Sequence, residues 1–286
     1  MRVLITGAGG QVGTDVAICC EVAGDDVIGL DHAALDVTDR DAVLGAISAG
    51  RPDAVVHCAA WTAVDACEAD RTRAFAHNAL AVRWVAEGCR RFDSHLVHLS
   101  TDYVFSGEQS RPYVEWDETG PLSVYGASKL AGEHEAGAAG IGATIVRTSW
   151  VIGEHGPNML TTILRLRDER PTLSFVDDQR GHVTFTGDLA VALRRLAVDR
   201  RPGIHHVTNQ GEVTWFEFAR EVAAQGGHDP ERVQPIATAD LVPTRPARRP
   251  ANAVLENAVL KASGLPLLPD HRDSLPAVVK VIRTAA

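Results

Sequence analysis

Short runs of consecutive apolar residues alternate with longer amphipathic stretches along the first 148 residues. The apolar runs are continuous, which is typical of strands buried on both faces of a parallel sheet. We predict strands at 2–6, 26–30, 54–59, 95–100 and 143–148. Helical spacing of apolar residues predicts helices at 14–23, 39–49, 70–92 and 123–137. This alternation predicts an α/β fold, a doubly wound parallel sheet covered by helices on both faces.

The pattern becomes looser after Trp150. Helical spacing recurs at 158–168, 186–198 and 215–225, and strand-like runs recur at 173–176 and 204–208. Prolines become frequent from Pro230 onward, but apolar residues continue, which indicates an irregular folded lobe. We therefore expect a first domain at 1–148, completed by a segment at about 182–206, and a smaller C-terminal substrate-binding lobe at 149–286.

The composition argues against two classes of partner. The chain has 286 residues and a formal net charge of −9, whereas a protein that binds the phosphates of a nucleic acid needs a basic face. It has no run of about 18 apolar residues, so no membrane-spanning helix is expected. Its five cysteines have neither zinc-site nor disulfide-framework spacing, and no secretory signal is recognisable. We expect a cytoplasmic protein with no nucleic-acid or membrane partner.

A glycine-rich loop, GAGGQVG at residues 7–13, joins the first predicted strand to the first predicted helix. Gly7 permits a tight turn, Gly10 lets a pyrophosphate approach the backbone, and Gly13 lets helix and strand pack closely. Asp31 ends the second strand, where an acidic residue binds the ribose of a dinucleotide. This context predicts a Rossmann-like dinucleotide-binding domain. The Asp31 carboxylate repels a 2′-phosphate and so favours NADH, although a nearby arginine would still accommodate NADPH.

Asp36 and Val37 follow this strand after a short loop. They lie where a dinucleotide-binding domain usually contacts the edge of the adenine ring. An equally favoured interpretation is that Asp36 is a turn residue in front of a helix whose N-cap is Thr38.

Tyr125 and Lys129 are spaced i, i+4 in the predicted helix 123–137, so both side chains lie on one face. A tyrosine hydroxyl with a pKa near 10 is a poor acid–base catalyst, and we expect the Lys129 ammonium to lower that pKa. Lys129 is the only lysine before Lys261. Thr101 ends the fourth strand, at the sheet edge where α/β proteins bind ligands. There it can hydrogen-bond a carbonyl oxygen that Tyr125 protonates.

In this order, the motifs resemble the extended short-chain dehydrogenase/reductase family, and within it the branch that reduces dTDP-4-keto-6-deoxy sugars. The resemblance is carried by GAGGQVG at 7–13, RPDAVV at 51–56, AAWTAVD at 59–65, STDYVF at 100–105, VYGASKLAGE at 124–133, RTSWV at 147–151, DDQRG at 177–181 and RPANAVL at 249–255. It implies a two-lobed subunit, monomeric or homodimeric, whose C-terminal lobe holds the sugar nucleotide over the nicotinamide. The implied reaction is reduction of the C4 keto group of dTDP-4-dehydro-L-rhamnose by NADPH or NADH.

The resemblance also implies roles for individual residues. In the catalytic set, Tyr125 is the proton donor, Lys129 is its partner and Thr101 binds the sugar. The residues implied at the cofactor are Gly7, Gly10, Gln11, Val12, Gly13, Asp31, Asp36, Val37, Ala60, Thr62, Tyr125 and Lys129. The residues implied at the substrate are Val64, Thr101, Asp102, Tyr103, Trp150 and Asn252. For Trp150 the alternative is a core aromatic, and for Asn252 it is a loop-capping amide.

The chain departs from the family pattern at two positions. Ile152 stands where the family usually has tyrosine, and Val183 stands where it usually has proline. We expect the loss of this proline to free a loop near the sugar lobe. Some relatives dimerise through Mg²⁺, and Asp15 occupies the position of one acidic ligand. Because exposed helix acids are common, Mg²⁺ stays compatible with the sequence but no metal is assigned.

Two other functions stay open. The two departures are compatible with a reductase of another dTDP-4-keto-deoxysugar, as in a dihydrostreptose-type antibiotic pathway. The other open function is that of a non-catalytic NADP-binding regulatory subunit, like the reductase-like subunit of methionine adenosyltransferase. Such a subunit would not need Thr101, Tyr125 and Lys129.

Overall fold

Six parallel strands form the central sheet of the protein. The computed structural model describes residues 1–285. Its strands are β1 Arg2–Thr6, β2 Asp26–Leu30, β3 Ala54–His57, β4 His95–Thr101, β5 Thr144–Thr148, β6 Val151–Ile152, β7 Leu173–Val176, β8 Arg180–His182, β9 Thr184–Phe185, β10 Gly203–His206, β11 Glu212–Thr214 and β12 Val233–Ile236. The order in the sheet is β2–β1–β3–β4–β5–β10, and every neighbouring pair is parallel. The predicted doubly wound parallel sheet is confirmed.

Helices cover both faces of this sheet. They are α1 Gln11–Val22, α2 Arg40–Gly50, α3 Val64–Ala69, α4 Arg71–Phe75, α5 Ala81–Phe92, α6 Val124–Ala138, α7 Met159–Glu169, α8 Thr186–Asp199, α9 Trp215–Gln225, α10 Ala258–Ala262 and α11 His271–Ala285. A π-helical turn at Ala76–Leu80 joins α4 to α5. The helix predicted at 70–92 therefore exists, but it contains one wider turn.

Alternate residues of the central strand β1 pack on opposite faces of the sheet. Val3 and Ile5 of β1 pack in a core with side chains of α1 and α8. Leu4 packs in a second core with side chains of α2, α5 and α6. All three residues are fully buried, which explains why the strand is continuously apolar.

A third core lies next to the sheet. Its buried side chains come from β6, α7, β9, α9 and α11. The irregular lobe predicted from Pro230 onward ends in a regular element, because His271–Ala285 forms α11 with Pro276 inside the helix. Apolar residues at helical spacing, such as Leu275 and Val279, bury one side of this helix and outweigh the single proline.

The N-cap expected at Thr38 is also wrong by one residue. The Asp39 carboxylate accepts hydrogen bonds from the backbone N–H groups of Asp41 and Ala42 and so caps α2. The Thr38 hydroxyl instead donates to the Asp36 carboxylate over 2.7 Å. Asp36 therefore stabilises the turn in front of α2.

None of the helices within the described part of the chain has the length and apolarity that crossing a bilayer requires. Because the six sheet strands are parallel, their carboxyl ends share one edge. The glycine loop follows β1 there, between strands β2 and β3 that lie on opposite sides of β1. Ligands of doubly wound sheets bind at such a point, where the strand order reverses.

Candidate active site

The glycine loop has the geometry of an anion-binding turn. Gly7 adopts a left-handed φ of +70°, and the Gly10 N–H donates to the Gly7 carbonyl over 2.9 Å. A Cβ on Gly13 would lie 2.1 Å from the Gly7 carbonyl oxygen, so no other residue fits there. No side chain caps the N-terminus of α1, and its first N–H groups are available to a phosphate.

Asp31 lies next to this loop. A Cβ built on Gly9 would be 3.2 Å from the Asp31 Cβ. One carboxylate oxygen of Asp31 accepts hydrogen bonds from the N–H groups of Ala33 and Ala34, over 3.0 and 2.9 Å. Those bonds hold the carboxylate at the end of β2. Val37, in contrast, is buried in the core under α2.

A cleft of about 400 Å³ lies at the carboxyl edge of the sheet. The structure brings most of the predicted site residues together there. These are Gly7, Gly10, Gln11, Val12, Gly13, Ala60, Thr62, Val64, Thr101, Asp102, Tyr103, Tyr125, Lys129 and Trp150. Sequence reasoning missed seven further lining residues, namely Cys58, Leu99, Ser100, Thr148, Ser149, Val151 and Trp215. All but Trp215 lie within two residues of a predicted site residue, at or next to the end of a sheet strand. The position of the strand ends in the sequence could therefore have identified them.

Tight packing sets Tyr125 against the end of β4. The Ser123 hydroxyl accepts from the Gly126 N–H and caps α6. A Cβ on Gly126 would lie 2.2 Å from the Tyr103 carbonyl oxygen, so only glycine lets α6 approach the turn after Thr101 this closely. The ring of Tyr103 meets the ring of Tyr125 edge-on, with centroids 5.4 Å apart. The phenol of Tyr125 is thereby fixed beside Thr101.

Burial controls the proton affinity of the Tyr125–Lys129 pair. Burial raises the pKa of Tyr125 and the Asp102 charge adds to the rise, which the Thr101 hydroxyl opposes only in part. Burial lowers the pKa of Lys129 to about 8, and its ammonium donates to the Leu99 carbonyl over 2.6 Å. The expectation of a lowered tyrosine pKa is therefore wrong, because burial of the phenol dominates the shift. Tyr125 is a neutral phenol, the protonation state that a proton donor needs.

Asp102 carries an unused hydrogen-bonding atom in the cleft. Its Oδ1 accepts from the Thr101 hydroxyl over 2.8 Å. Its Oδ2 is buried without a partner among the residues that the structure describes. Burial raises the pKa of Asp102 to about 7. A buried polar atom without a partner is costly, so Oδ2 is suited to a ligand hydroxyl.

Trp150 stacks on Trp215 at the wall of the cleft, with ring centroids 3.8 Å apart and an interplanar angle of 12°. The two residues are distant in the sequence, and no local pattern connects them. Trp215 begins α9 directly after its N-cap Thr214, which by itself indicates only a helix start. Only the fold identifies Trp215 as a site residue.

Asn252 lies outside the cleft. Its amide donates to the carbonyl oxygens of Gln109 and Arg111, over 2.8 and 2.9 Å. Its side-chain oxygen accepts from the Val254 N–H over 3.1 Å. Every hydrogen-bonding group of this amide is thus used by the surrounding loops, as the loop-capping alternative requires.

The two departures from the family pattern also lie away from the cleft. Ile152 and Val183 are fully buried in the third core, with side chains of α7, α9 and α11. The expectation of a freed loop at residue 183 is wrong, since β8 and β9 flank Val183 and the apolar core holds it in place. Neither residue therefore changes the lining of the cleft.

Asp15 makes a contact with His155, whose Nε2 lies 3.3 Å from its carboxylate. Across residues 1–285, no group of three or more histidine, cysteine, aspartate or glutamate side chains is arranged to hold a metal ion.

The parallel sheet, the glycine loop, and the Thr101, Tyr125 and Lys129 side chains in one cleft define an extended short-chain dehydrogenase/reductase. The chain belongs to the family described as "RmlD substrate binding domain", whose model matches residues 1–284.

Relatives support this assignment over nearly the whole chain. It is 42% identical over 280 residues to "dTDP-4-dehydrorhamnose reductase" of Streptomyces griseus, covering 96% of this chain and 91% of that protein. It is 43% identical over 279 residues to "Probable dTDP-4,6-dihydroxy-2-methyloxan-3-one 4-ketoreductase" of Streptomyces antibioticus, covering 96% and 93%. A solved dTDP-4-dehydrorhamnose reductase from Bacillus anthracis in complex with NADP is 35% identical, with a TM-score of 0.93 and coverage of 97% and 98%.

Proposed function

We propose that this protein reduces the C4 keto group of dTDP-4-dehydro-L-rhamnose to give dTDP-L-rhamnose, with a reduced nicotinamide dinucleotide as hydride source. The observation that carries the proposal is that one cleft joins the phosphate-binding loop to the Thr101–Tyr125 pair. A carbonyl substrate and a dinucleotide can therefore meet at a neutral phenol. The similarity to dTDP-4-dehydrorhamnose reductases from Streptomyces and Bacillus supports this substrate class.

The residues present fit the dinucleotide. The glycines at 7 and 13 let the turn pack closely against neighbouring backbone, and the start of α1 carries no side-chain cap, so its N–H groups are free to bind a pyrophosphate. Gln11 and Val12 would hold the pyrophosphate, Asp31 would bind the adenosine ribose, and Ala60 and Thr62 would line the cofactor. When bound, NADH or NADPH supplies a hydride to C4 of the sugar.

The chain's own side chains handle the oxygen and its proton. As negative charge develops on the C4 oxygen, Thr101 and Tyr125 are placed to stabilise it by hydrogen bonds whose donors are already fixed by the fold. Tyr125 then donates its phenolic proton to that oxygen. Asp102 accepts a sugar hydroxyl at Oδ2, and Lys129 binds a ribose hydroxyl and faces the phenolate left by the transfer.

Asp31 favours NADH over NADPH in this proposal. A 2′-phosphate next to this carboxylate would bring like charges together. Trp150 from the C-terminal lobe and Val64 at the start of α3 both line the cleft, and they would hold the sugar nucleotide. We place the reaction in the cytoplasm, because all five cysteines, at 19, 20, 58, 67 and 89, are free thiols.

A second candidate is C4 reduction of a different dTDP-4-keto-deoxysugar. The similarity to the probable dTDP-4,6-dihydroxy-2-methyloxan-3-one 4-ketoreductase of Streptomyces antibioticus favours it. A non-catalytic regulatory role is disfavoured. A regulator would not need a threonine hydroxyl, a neutral phenol and an ammonium in the same cleft as the phosphate-binding loop.

The test is NADH oxidation by the purified protein with dTDP-4-dehydro-L-rhamnose, with product identification by NMR. Formation of dTDP-L-rhamnose is the expected result. Turnover only with another member of a panel of dTDP-4-keto sugars would support the second candidate. Tight NADH binding without oxidation by any of these sugars would contradict both.

A further inference from the structure

One wall of the cleft contains an aromatic pair that local sequence does not explain. The indoles of Trp150 and Trp215 stack nearly in parallel, 3.8 Å apart, and both line the cleft. The pair shares that cleft with Thr101 and Tyr125, the groups proposed to act on the C4 oxygen. A substrate that reaches Tyr125 therefore lies within range of this wall.

The backbone of Trp150 is held in an uncommon conformation. Its φ is +43°, in the left-handed region that a bulky residue rarely adopts. On one side the Ser149 hydroxyl donates to the His182 carbonyl over 2.7 Å, and on the other the Thr184 N–H donates to the Trp150 carbonyl over 3.2 Å. These bonds fix Trp150 against the strands β8 and β9. An uncommon conformation that its surroundings hold in place is typical of a functional position.

The backbone of Trp215 is held equally firmly. The Thr214 hydroxyl accepts from the Glu217 N–H over 3.1 Å, and the Glu217 carboxylate accepts from the Thr214 N–H over 2.7 Å. This capping box sets the start of α9, where Trp215 is the first residue. Both indoles thus project from rigid backbone.

Gly181 of β8 lies directly against the Trp150 ring. A Cβ on this residue would be 2.7 Å from Cε2, 2.9 Å from Cζ2 and 3.0 Å from Nε1 of the indole. Gly181 does not have a left-handed φ, so its backbone would accept any L-residue. The requirement for glycine therefore comes from the indole and not from the strand.

We propose that Gly181 is a positioning residue that keeps Trp150, which the family resemblance implies at the substrate, stacked on Trp215. The inference deepens the proposed function and rests on it for the identity of the ligand. Aromatic faces bury the C–H groups of a pyranose ring, and a rigid pair loses little conformational entropy on binding. The wall therefore sets the distance between the sugar C4 and Tyr125.

The test begins with Gly181→Ala. The added methyl group would overlap the Trp150 indole. Because the backbone of β8 fixes the position of the methyl group, the indole must move away from its place on Trp215. We expect KM for dTDP-4-dehydro-L-rhamnose to rise roughly tenfold or more, since small misplacements of a positioning group are costly. The Kd for NADH is expected to be unchanged. Circular dichroism should lose the exciton couplet that two stacked indoles produce.

Gly45→Ala is the matched control. Gly45 is an exposed glycine of α2, and nothing lies within 4 Å of a Cβ at that position. The same chemical change there is expected to leave KM, NADH binding and the couplet unchanged.

A double variant separates positioning from a general structural role. Trp150→Leu removes the three indole atoms that the new Cβ would meet, so Gly181→Ala should cause little further loss in that background. If Gly181→Ala fails to fold, the double variant should recover folding. Additive losses, or no recovery, would overturn the proposal, as would a Gly181→Ala protein with normal KM and an intact couplet.

Failure of the proposed function gives a different result. A wild-type protein that reduces no dTDP-4-keto sugar would refute the assigned reaction and with it the sugar as ligand. The couplet and the folding of the double variant would still report whether Gly181 positions the indole pair.

Discussion

The hydroxyl of Thr101 donates a hydrogen bond to the carboxylate of Asp102 over 2.8 Å, inside the cleft. This bond satisfies one oxygen of a carboxylate that is otherwise buried without a partner among the described residues. Burial raises the pKa of Asp102 from its ordinary value of 3.8 to about 7. The folded protein therefore holds a proton on Asp102 in a pH range in which the unfolded chain has released it.

This proton makes stability depend on pH. Between about pH 4 and pH 7 the folded state binds one more proton at Asp102 than the unfolded state, so this residue's contribution to stability falls as pH rises. Asp102→Asn removes that penalty, and we expect it to raise the free energy of unfolding at pH 8 by about 2–4 kcal/mol. At pH 4 the two proteins should be similarly stable. Urea denaturation at both pH values is the measurement, and parallel pH profiles would contradict the prediction.

Replacing Tyr125 with phenylalanine removes the proton donor and little else. The ring is buried and packs edge-on against Tyr103, so Phe preserves the packing. We expect kcat to fall by roughly 10²–10⁴-fold, the range for loss of a general acid. Binding of NADH, measured by fluorescence titration, should be unchanged. Normal turnover by Tyr125→Phe would refute the assignment of the acid.

Glu133 of α6 forms a buried ion pair with Arg147 of β5. The guanidinium donates to the two carboxylate oxygens over 2.9 and 2.7 Å. Glu133→Gln would leave the Arg147 charge buried without its counterion, and we expect a loss of about 3–5 kcal/mol of unfolding free energy.

The same helix provides the control for this pair. Glu135 pairs with Arg83 at the surface, where the side chains are 24% and 52% exposed. Glu135→Gln should change the unfolding free energy by less than about 1 kcal/mol. Equal effects of the two substitutions would show that burial does not decide the strength of this pair.

Asp31→Ser tests the cofactor preference. The substitution removes the charge that would face a 2′-phosphate but keeps a short polar side chain. We expect the ratio of Kd values for NADPH and NADH to shift toward NADPH by roughly tenfold or more, the effect of one close like-charge pair. Isothermal titration with each dinucleotide measures it. An unchanged ratio would mean that Asp31 does not contact the ribose.

Local pattern determined the main elements of the site. Continuous apolar runs indicated the parallel sheet, and the glycine spacing at 7, 10 and 13 placed a phosphate loop at the end of β1. The spacing of Tyr125 and Lys129 put both side chains on one helix face. These inferences succeed because they depend on backbone conformation and on neighbours within one or two helical turns.

The tertiary structure decided how those elements behave. The pKa of Tyr125 rises rather than falls, because burial depends on contacts between α6, β4 and the turn after it. The stack of Trp150 on Trp215, and the glycine at 181 that permits it, join three segments far apart in the chain. The Asn252 amide is hydrogen-bonded to the 109–111 loop, and Val183 is packed in an apolar core. Spatial proximity between distant residues, and the loss of solvent that it brings, cannot be read from their spacing in the sequence.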